Sequence, residues 1–170
     1  MSGSPALSKL IDRISEVTGR AAAWLTLAMV IVSFVIVVIR YMFDSGFIWL
    51  QESLTWMHAA VFMLGAAYTL ERDQHVRVDI FYRNMSPKHR ALVNLFGVLF
   101  FIFPLCIFFV FEGFDYVSAS WNINEVSRNS GGLPYPFVPL LKSVLLVMPA
   151  AVALQGLSMM LHSISELRSD

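Results

Sequence analysis

The chain has 170 residues, 57% of them hydrophobic, with twelve lysines and arginines balanced by twelve aspartates and glutamates. A net charge of zero excludes the basic footprint of a nucleic-acid binder. A single cysteine, Cys106, excludes a disulfide framework within one chain.

The N-terminus opens on Ser4-Pro5, a cap residue followed by proline at the first helical position. Leu7, Leu10, Ile11, Ile14 and Val17 then recur at helical spacing, with Lys9, Asp12, Arg13 and Glu16 largely elsewhere on the wheel. The spacing predicts an amphipathic helix over 4–19, lying in the membrane interface or on a partner.

Four uncharged stretches follow, at 21–39, 53–70, 91–111 and 143–161. Each is close to the roughly 20 residues a spanning helix needs, and in lipid such segments are helices because the backbone finds no other partners there. With their flanks they predict spans at about 21–43, 49–70, 88–111 and 138–162. The first is read as a retained span, not a cleaved signal, because its apolar core is long and no small-x-small site follows cleanly.

In the second span Trp49 is an interfacial anchor. Gln51, Thr55 and His58 share one face, and Glu52 stands four residues before Trp56. Polar residues at such depth usually face protein or water. His58 admits two readings, a haem or proton-relay residue and a hydrogen-bonded packing residue between helices.

The link at 71–87 is short and charged. Glu71, His75 and Asp79 are spaced four apart and could share a helical face. Interleaved Arg72 and Arg77 oppose a metal ion there. Ser86-Pro87 restarts a helix by the cap-plus-proline logic. The third span is rich in phenylalanine, with Pro104 placed to kink it. The loop at 112–137 carries Gly131-Gly132, Pro134 and Pro136, the chemistry of an irregular exposed loop. In the fourth span Pro149 is a second candidate kink, and Gln155 and Gly156 are candidate helix contacts.

Nine of the twelve lysines and arginines flank the side shared by both termini and the 71–87 link, among them Lys9, Arg13, Arg72, Arg77 and Arg90; Arg40, Arg128 and Lys142 lie on the other. The positive-inside rule then predicts an all-α integral membrane protein with four transmembrane helices and both termini in the cytoplasm. No internal repeat is visible, and the spans hold few polar groups. Such a chain is read as one part of a larger assembly, with no nucleophile–base pair or phosphate loop to make it an enzyme.

Several stretches together resemble the small membrane subunit of tripartite ATP-independent periplasmic (TRAP) transporters: Arg40-Tyr41, Trp49-Leu50-Gln51-Glu52, Gly65-Ala66-Ala67-Tyr68, Arg72-Asp73-Gln74-His75-Val76-Arg77-Val78-Asp79, and Ser130-Gly131-Gly132-Leu133-Pro134-Tyr135-Pro136. Two positions depart from the family pattern. Gln51 stands where a second acid is expected, and Asp73-Gln74 replaces a glycine before the histidine.

The resemblance implies a bacterial inner-membrane subunit of a sodium-coupled organic-anion importer. Its implied partners are a large multi-span transport subunit, a periplasmic substrate-binding protein and membrane lipid. No cofactor is implied, with sodium expected at the large subunit. Trp49, Gln51, Glu52, Thr55 and His58 become candidates for contact with the large subunit. Arg72, His75, Arg77 and Asp79 become candidates for ordering the cytoplasmic loop, and Trp121, Arg128 and Tyr135 for docking the binding protein. The competing reading is a membrane anchor of a respiratory enzyme holding haem or quinone. That would need two facing histidines, and the only candidates are His58 and His162.

Overall fold

The computed structural model describes residues 6–72, 82 and 84–168. Among them the regular structure is all helix, with no strand. Helix α1 spans Ala6–Phe43, α2 Ile48–Glu71, α3 Pro87–Gly97, α4 Phe103–Asn122 and α5 Phe137–Leu167. A π turn, Val98–Ile102, joins α3 to α4, so that Pro87–Asn122 forms one rod. The Ser4-Pro5 cap and the motif residues His75, Arg77 and Asp79 lie outside the described residues.

Helix α5 is the central member and packs against α1, α2, α3 and α4, while α1 also packs along α2. Both termini lie at one end of the bundle, where Ser158 of α5 meets Ser8 and Asp12 of α1. The α1–α2 turn and the loop at 123–136 lie at the other. These are called here the termini end and the loop end.

The bundle is small inside and large outside. Its buried positions include Ser8, Ser15, Gly19, Ala22, Ala60, Ala67, Ala91, Gly113 and Ser158. Trp24, Phe34, Phe62 and Phe111 point outward. Water would drive those rings inward, whereas lipid is as apolar as they are. Helices in a bilayer therefore associate through small residues that let backbones approach. At Gly19 a Cβ would stand 2.2 Å from Tyr68 Cγ, so the Tyr68 ring occupies the space a side chain would take.

Three helices are long and apolar enough to cross a membrane: α1, the Pro87–Asn122 rod and α5. The expected second span, α2, is not among them. Its 24 residues would suffice for length, but Thr55, Trp56, His58, Tyr68 and Thr69 lower its hydropathy.

The expected interfacial helix at 4–19 and the first span are one continuous helix. No proline interrupts the sequence near residue 20, and Gly19 is fixed inside the helix by Tyr68. The expected apolar face is also turned round. Only Ile11 of that set faces inward, beside Ser8 and Ser15, while Leu7, Leu10, Ile14 and Val17 face out. The rod likewise outlasts its uncharged stretch. Glu112 and Asp115 are exposed on α4, which runs on to Asn122.

The π turn has a register reason. Besides Val117, the buried positions of the rod form one row, Ala91, Val98, Cys106, Gly113 and Ser120. Seven residues separate each neighbouring pair except Val98 and Cys106, which are eight apart. One wider turn absorbs the extra residue, and Phe103 N–H donates to Val98 O, five residues back. Pro104, which has no N–H to offer, follows at once. Across from this turn, a Cβ on Gly156 would lie 3.3 Å from both Val98 Cγ1 and Ile102 Cγ2. Pro149 is buried inside α5, which continues through it.

Candidate functional site at the two ends and the outer face

At the loop end, Glu52 sits on the first turns of α2, facing the segment that leads into α5. Its carboxylate accepts from Ser127 Oγ, from Asn129 Nδ2 at 2.9 Å and from Leu133 N–H at 2.7 Å. Trp49 N–H donates to Gly131 O at 3.1 Å, and Trp56 Nε1 to Phe137 O at 3.2 Å. Gly131, at φ 77°, makes the turn that brings these groups round. The Gly-Pro segment is therefore stapled to α2. Glu52, expected to face the large subunit, is engaged within its own chain.

Beside the staple, Glu125 accepts from Ser120 Oγ at 2.6 Å and from Lys142 Nζ at 2.5 Å. Lys142 Nζ also lies 4.0 Å from the centre of the Tyr116 ring. The hydrogen bond from Lys142, then that from Ser120, hold the Glu125 carboxyl below its ordinary value of 4.5. Trp121 Nε1 donates to Ser143 Oγ at 3.0 Å, and its ring meets Tyr135 edge-on with centroids 6.2 Å apart. Arg128 is exposed and lies close enough to Glu125 for its charge to act on that carboxylate. The three expected docking residues thus lie on one end, and two of them touch.

At the termini end, Asp12 gathers α5. Its carboxylate accepts from Ser158 Oγ at 2.6 Å and from Gln155 Nε2 at 2.9 Å, and pairs with His162 Nε2 at 3.1 Å. Ser15 Oγ donates to Gln155 Oε1 at 2.7 Å. Nearby, Arg72 pairs with Glu16 at 3.2 Å and with Glu71 at 3.0 Å, and its guanidinium lies over the Tyr68 ring. Arg72 thus ties the end of α2 to α1. Sequence reasoning singled out Gln155 but missed Asp12, Ser15 and Ser158. The available signal was Ser8, Asp12 and Ser15 on one helical face, which reads equally well as a solvated face.

On the outer face, Thr55 and His58 are exposed, with Phe62 on the same side. Glu52, Ala60 and Ala67 occupy the inner side of α2. His58 faces out of the bundle and His162 is engaged by Asp12, so the two histidines required by the haem reading do not face one another. Among the described residues no cluster of three or more histidine, cysteine or acidic side chains is placed to hold a metal ion. The Glu71, His75 and Asp79 set is not wholly described.

Apolar rods that bury serine and glycine and expose phenylalanine define a helical membrane protein. Residues 29–166 match the family described as Tripartite ATP-independent periplasmic transporters, DctQ component, and the chain belongs to that family. It is a transporter component and not an enzyme. It is 30% identical over 71 residues to the C4-dicarboxylate TRAP transporter small permease protein DctQ of Vibrio cholerae, a match covering 42% of this chain and 31% of that protein. It is 27% identical over 110 residues to a Haemophilus influenzae protein named as a TRAP transporter small permease, covering 63% of this chain and 66% of that one. The chain thus spans under two thirds of the length of either relative. No solved structure matches it.

Proposed function

We propose that this chain is the small subunit of a sodium-coupled importer of an organic anion, a carboxylate or sugar acid, delivered by a periplasmic binding protein. In this reading it crosses the bacterial cytoplasmic membrane four times with both termini inside. It braces a large transport subunit, and its loop end helps to dock the binding protein.

The observation that carries the bracing role is the outward stripe of Thr55 and His58 on α2. His58 lies about 15 Å along that helix from its first residue, a depth at which an imidazole is costly against lipid and is expected to face protein. Among the described residues nothing covers it, so a second membrane protein is the natural neighbour.

Four crossings are supported by the level at which α2 packs. Tyr68 meets Gly19 of α1 near one end of α2 and Trp49 meets Gly131 of the 123–136 loop near the other, so α2, about 36 Å long, runs from one end of the bundle to the other. Orientation is supported by the lysines and arginines gathered at the termini end. An organic anion is supported by the name of the Vibrio cholerae relative, which specifies a C4-dicarboxylate.

The transport path is assigned to the large subunit. The departure from α geometry in the rod, the π turn, is lined by Val98, Leu99, Phe100, Phe101 and Ile102. It offers no polar groups of the kind that broken transporter helices present to ions.

The test is sodium-driven uptake of a labelled C4-dicarboxylate and a labelled sugar acid into membrane vesicles holding the large subunit and binding protein, with and without this chain. Uptake and large-subunit yield are expected to collapse without it. Full uptake and an undiminished yield in its absence would end the proposal.

A further inference from the structure

Helix α1 has 38 residues, about 57 Å at 1.5 Å each, against about 40–45 Å for a bilayer including its headgroups. Its uncharged part begins after Arg20, and the excess length of about 12–17 Å carries roughly the first ten residues of the helix out beyond the headgroups. The outward side of this projection is nevertheless apolar. Leu7, Leu10, Ile14 and Val17 are 53%, 57%, 52% and 60% exposed, and they recur three and four residues apart, the seam spacing of a coiled coil.

A lipid surface cannot cover this seam. An unbroken helix that crosses the bilayer cannot also lie in its plane, and Ser15 and Ser8 meet Gln155 and Ser158 of α5, which keeps the segment aligned with the bundle. Lys9 and Arg13 are exposed along one edge of the seam. The acids of the segment face elsewhere, Asp12 toward α5 and Glu16 toward Arg20 and Arg72. Two cations exposed along that edge select a partner that carries acids on its facing edge.

We propose that this seam docks a cytoplasmic helix of the large transport subunit, one that carries an apolar seam of its own with aspartate or glutamate beside it. The inference rests on the proposed function, since that reading supplies the partner.

A photoreactive phenylalanine replaces Leu10 or Ile14 in the full complex in its native membrane. The expected result is a crosslink from both positions to the large subunit. Separately, Leu10→Glu combined with Ile14→Glu should lower the co-purified large subunit at least about tenfold, the least expected when two large apolar side chains leave a buried seam. Lys9→Glu combined with Arg13→Glu should lower it by a smaller factor. These side chains face outward, so each variant should retain the yield and monodispersity of the wild type when purified alone.

If the wild-type chain co-purifies with the large subunit but residues 10 and 14 crosslink only to lipid, to a second copy or to another protein, the docking face is wrong and the proposed function stands. Full co-purification of the double glutamate variant would overturn it equally. If the wild-type chain brings down no large subunit, the proposed function falls, and this inference with it.

Discussion

The two ends of the bundle are each closed by one carboxylate with three partners, and they use it differently. At the loop end, Glu52 takes all three donors from a single stretch, Ser127, Asn129 and Leu133. At the termini end, Asp12 takes its partners from three turns of one helix, Gln155, Ser158 and His162. The first arrangement fixes the shape of a loop. The second fixes how two helices lie against each other, and so where the outward face of α1 points. Damage at the loop end should therefore stay local, whereas damage at the termini end should spread along α1.

The largest effect is expected from Glu52→Ala. Three donors would lose a charged acceptor at once. Hydrogen bonds to charged groups are worth about 1.5–3 kcal/mol each; with the discount for a site open to solvent, the loss is on the order of 3 kcal/mol. The readout is limited proteolysis in detergent, where cleavage within 123–136 should rise steeply while the N-terminal segment keeps its protection. Equal loss of protection at both ends would show that the two carboxylates do not act separately.

Asp12→Ala should cost somewhat less, about 2 kcal/mol, because His162 can turn to water while Ser158 and Gln155 cannot. Its signature is the reverse. Protection should fall in the first turns of α1 and in the last turns of α5, with the 123–136 loop unchanged. Asp12→Asn should recover part of the loss, since the amide oxygen still accepts.

A change at mid-height calibrates both. Gly156→Ala would set a methyl 3.3 Å from Val98 and Ile102, and the π turn opposite must shift by a few tenths of an ångström, at about 1 kcal/mol or more. Thermal unfolding should show a uniform drop with no preference for either end. A selective opening of one end would place the coupling of α5 to the rod there.

How far the sequence revealed this arrangement differs between its parts. The apolar stretches mark α1, the rod and α5 directly, and the Ser86-Pro87 signal is realised, with Ser86 capping α3 through His89 N–H. Helix ends were harder to read, because a charge ends an apolar stretch without ending a helix. Glu112 closes the third uncharged stretch, yet α4 runs through it and Asp115 to Asn122.

Faces were harder still. The apolar side of residues 7–17 would be expected to turn inward, but Ser8 and Ser15 make the contacts with α5 and leave that side outward. Glu52 could be placed at the loop end, but not on Leu133, because that pairing joins residues 81 apart. The π turn was legible only in hindsight, as the eight-residue step from Val98 to Cys106 among sevens.

The smallest effect is expected from pH, read at the loop end. Glu125 has its carboxyl below 4.5 in the folded chain because Lys142 and Ser120 donate to it. A depressed carboxyl contributes stability that is complete above the unfolded value and lost as pH falls through the folded one. The contribution of the Glu125–Lys142 pair should therefore be constant from neutral pH down to about 5 and decline below 4.5, leaving Lys142 charged without its partner. Proteolysis of the 123–136 loop should rise in that window, and Glu125→Gln should flatten the dependence while raising cleavage at neutral pH. Should the loop retain its pH profile in Glu125→Gln, the titrating group is another carboxylate of the loop end, and Glu52 is the one to replace next.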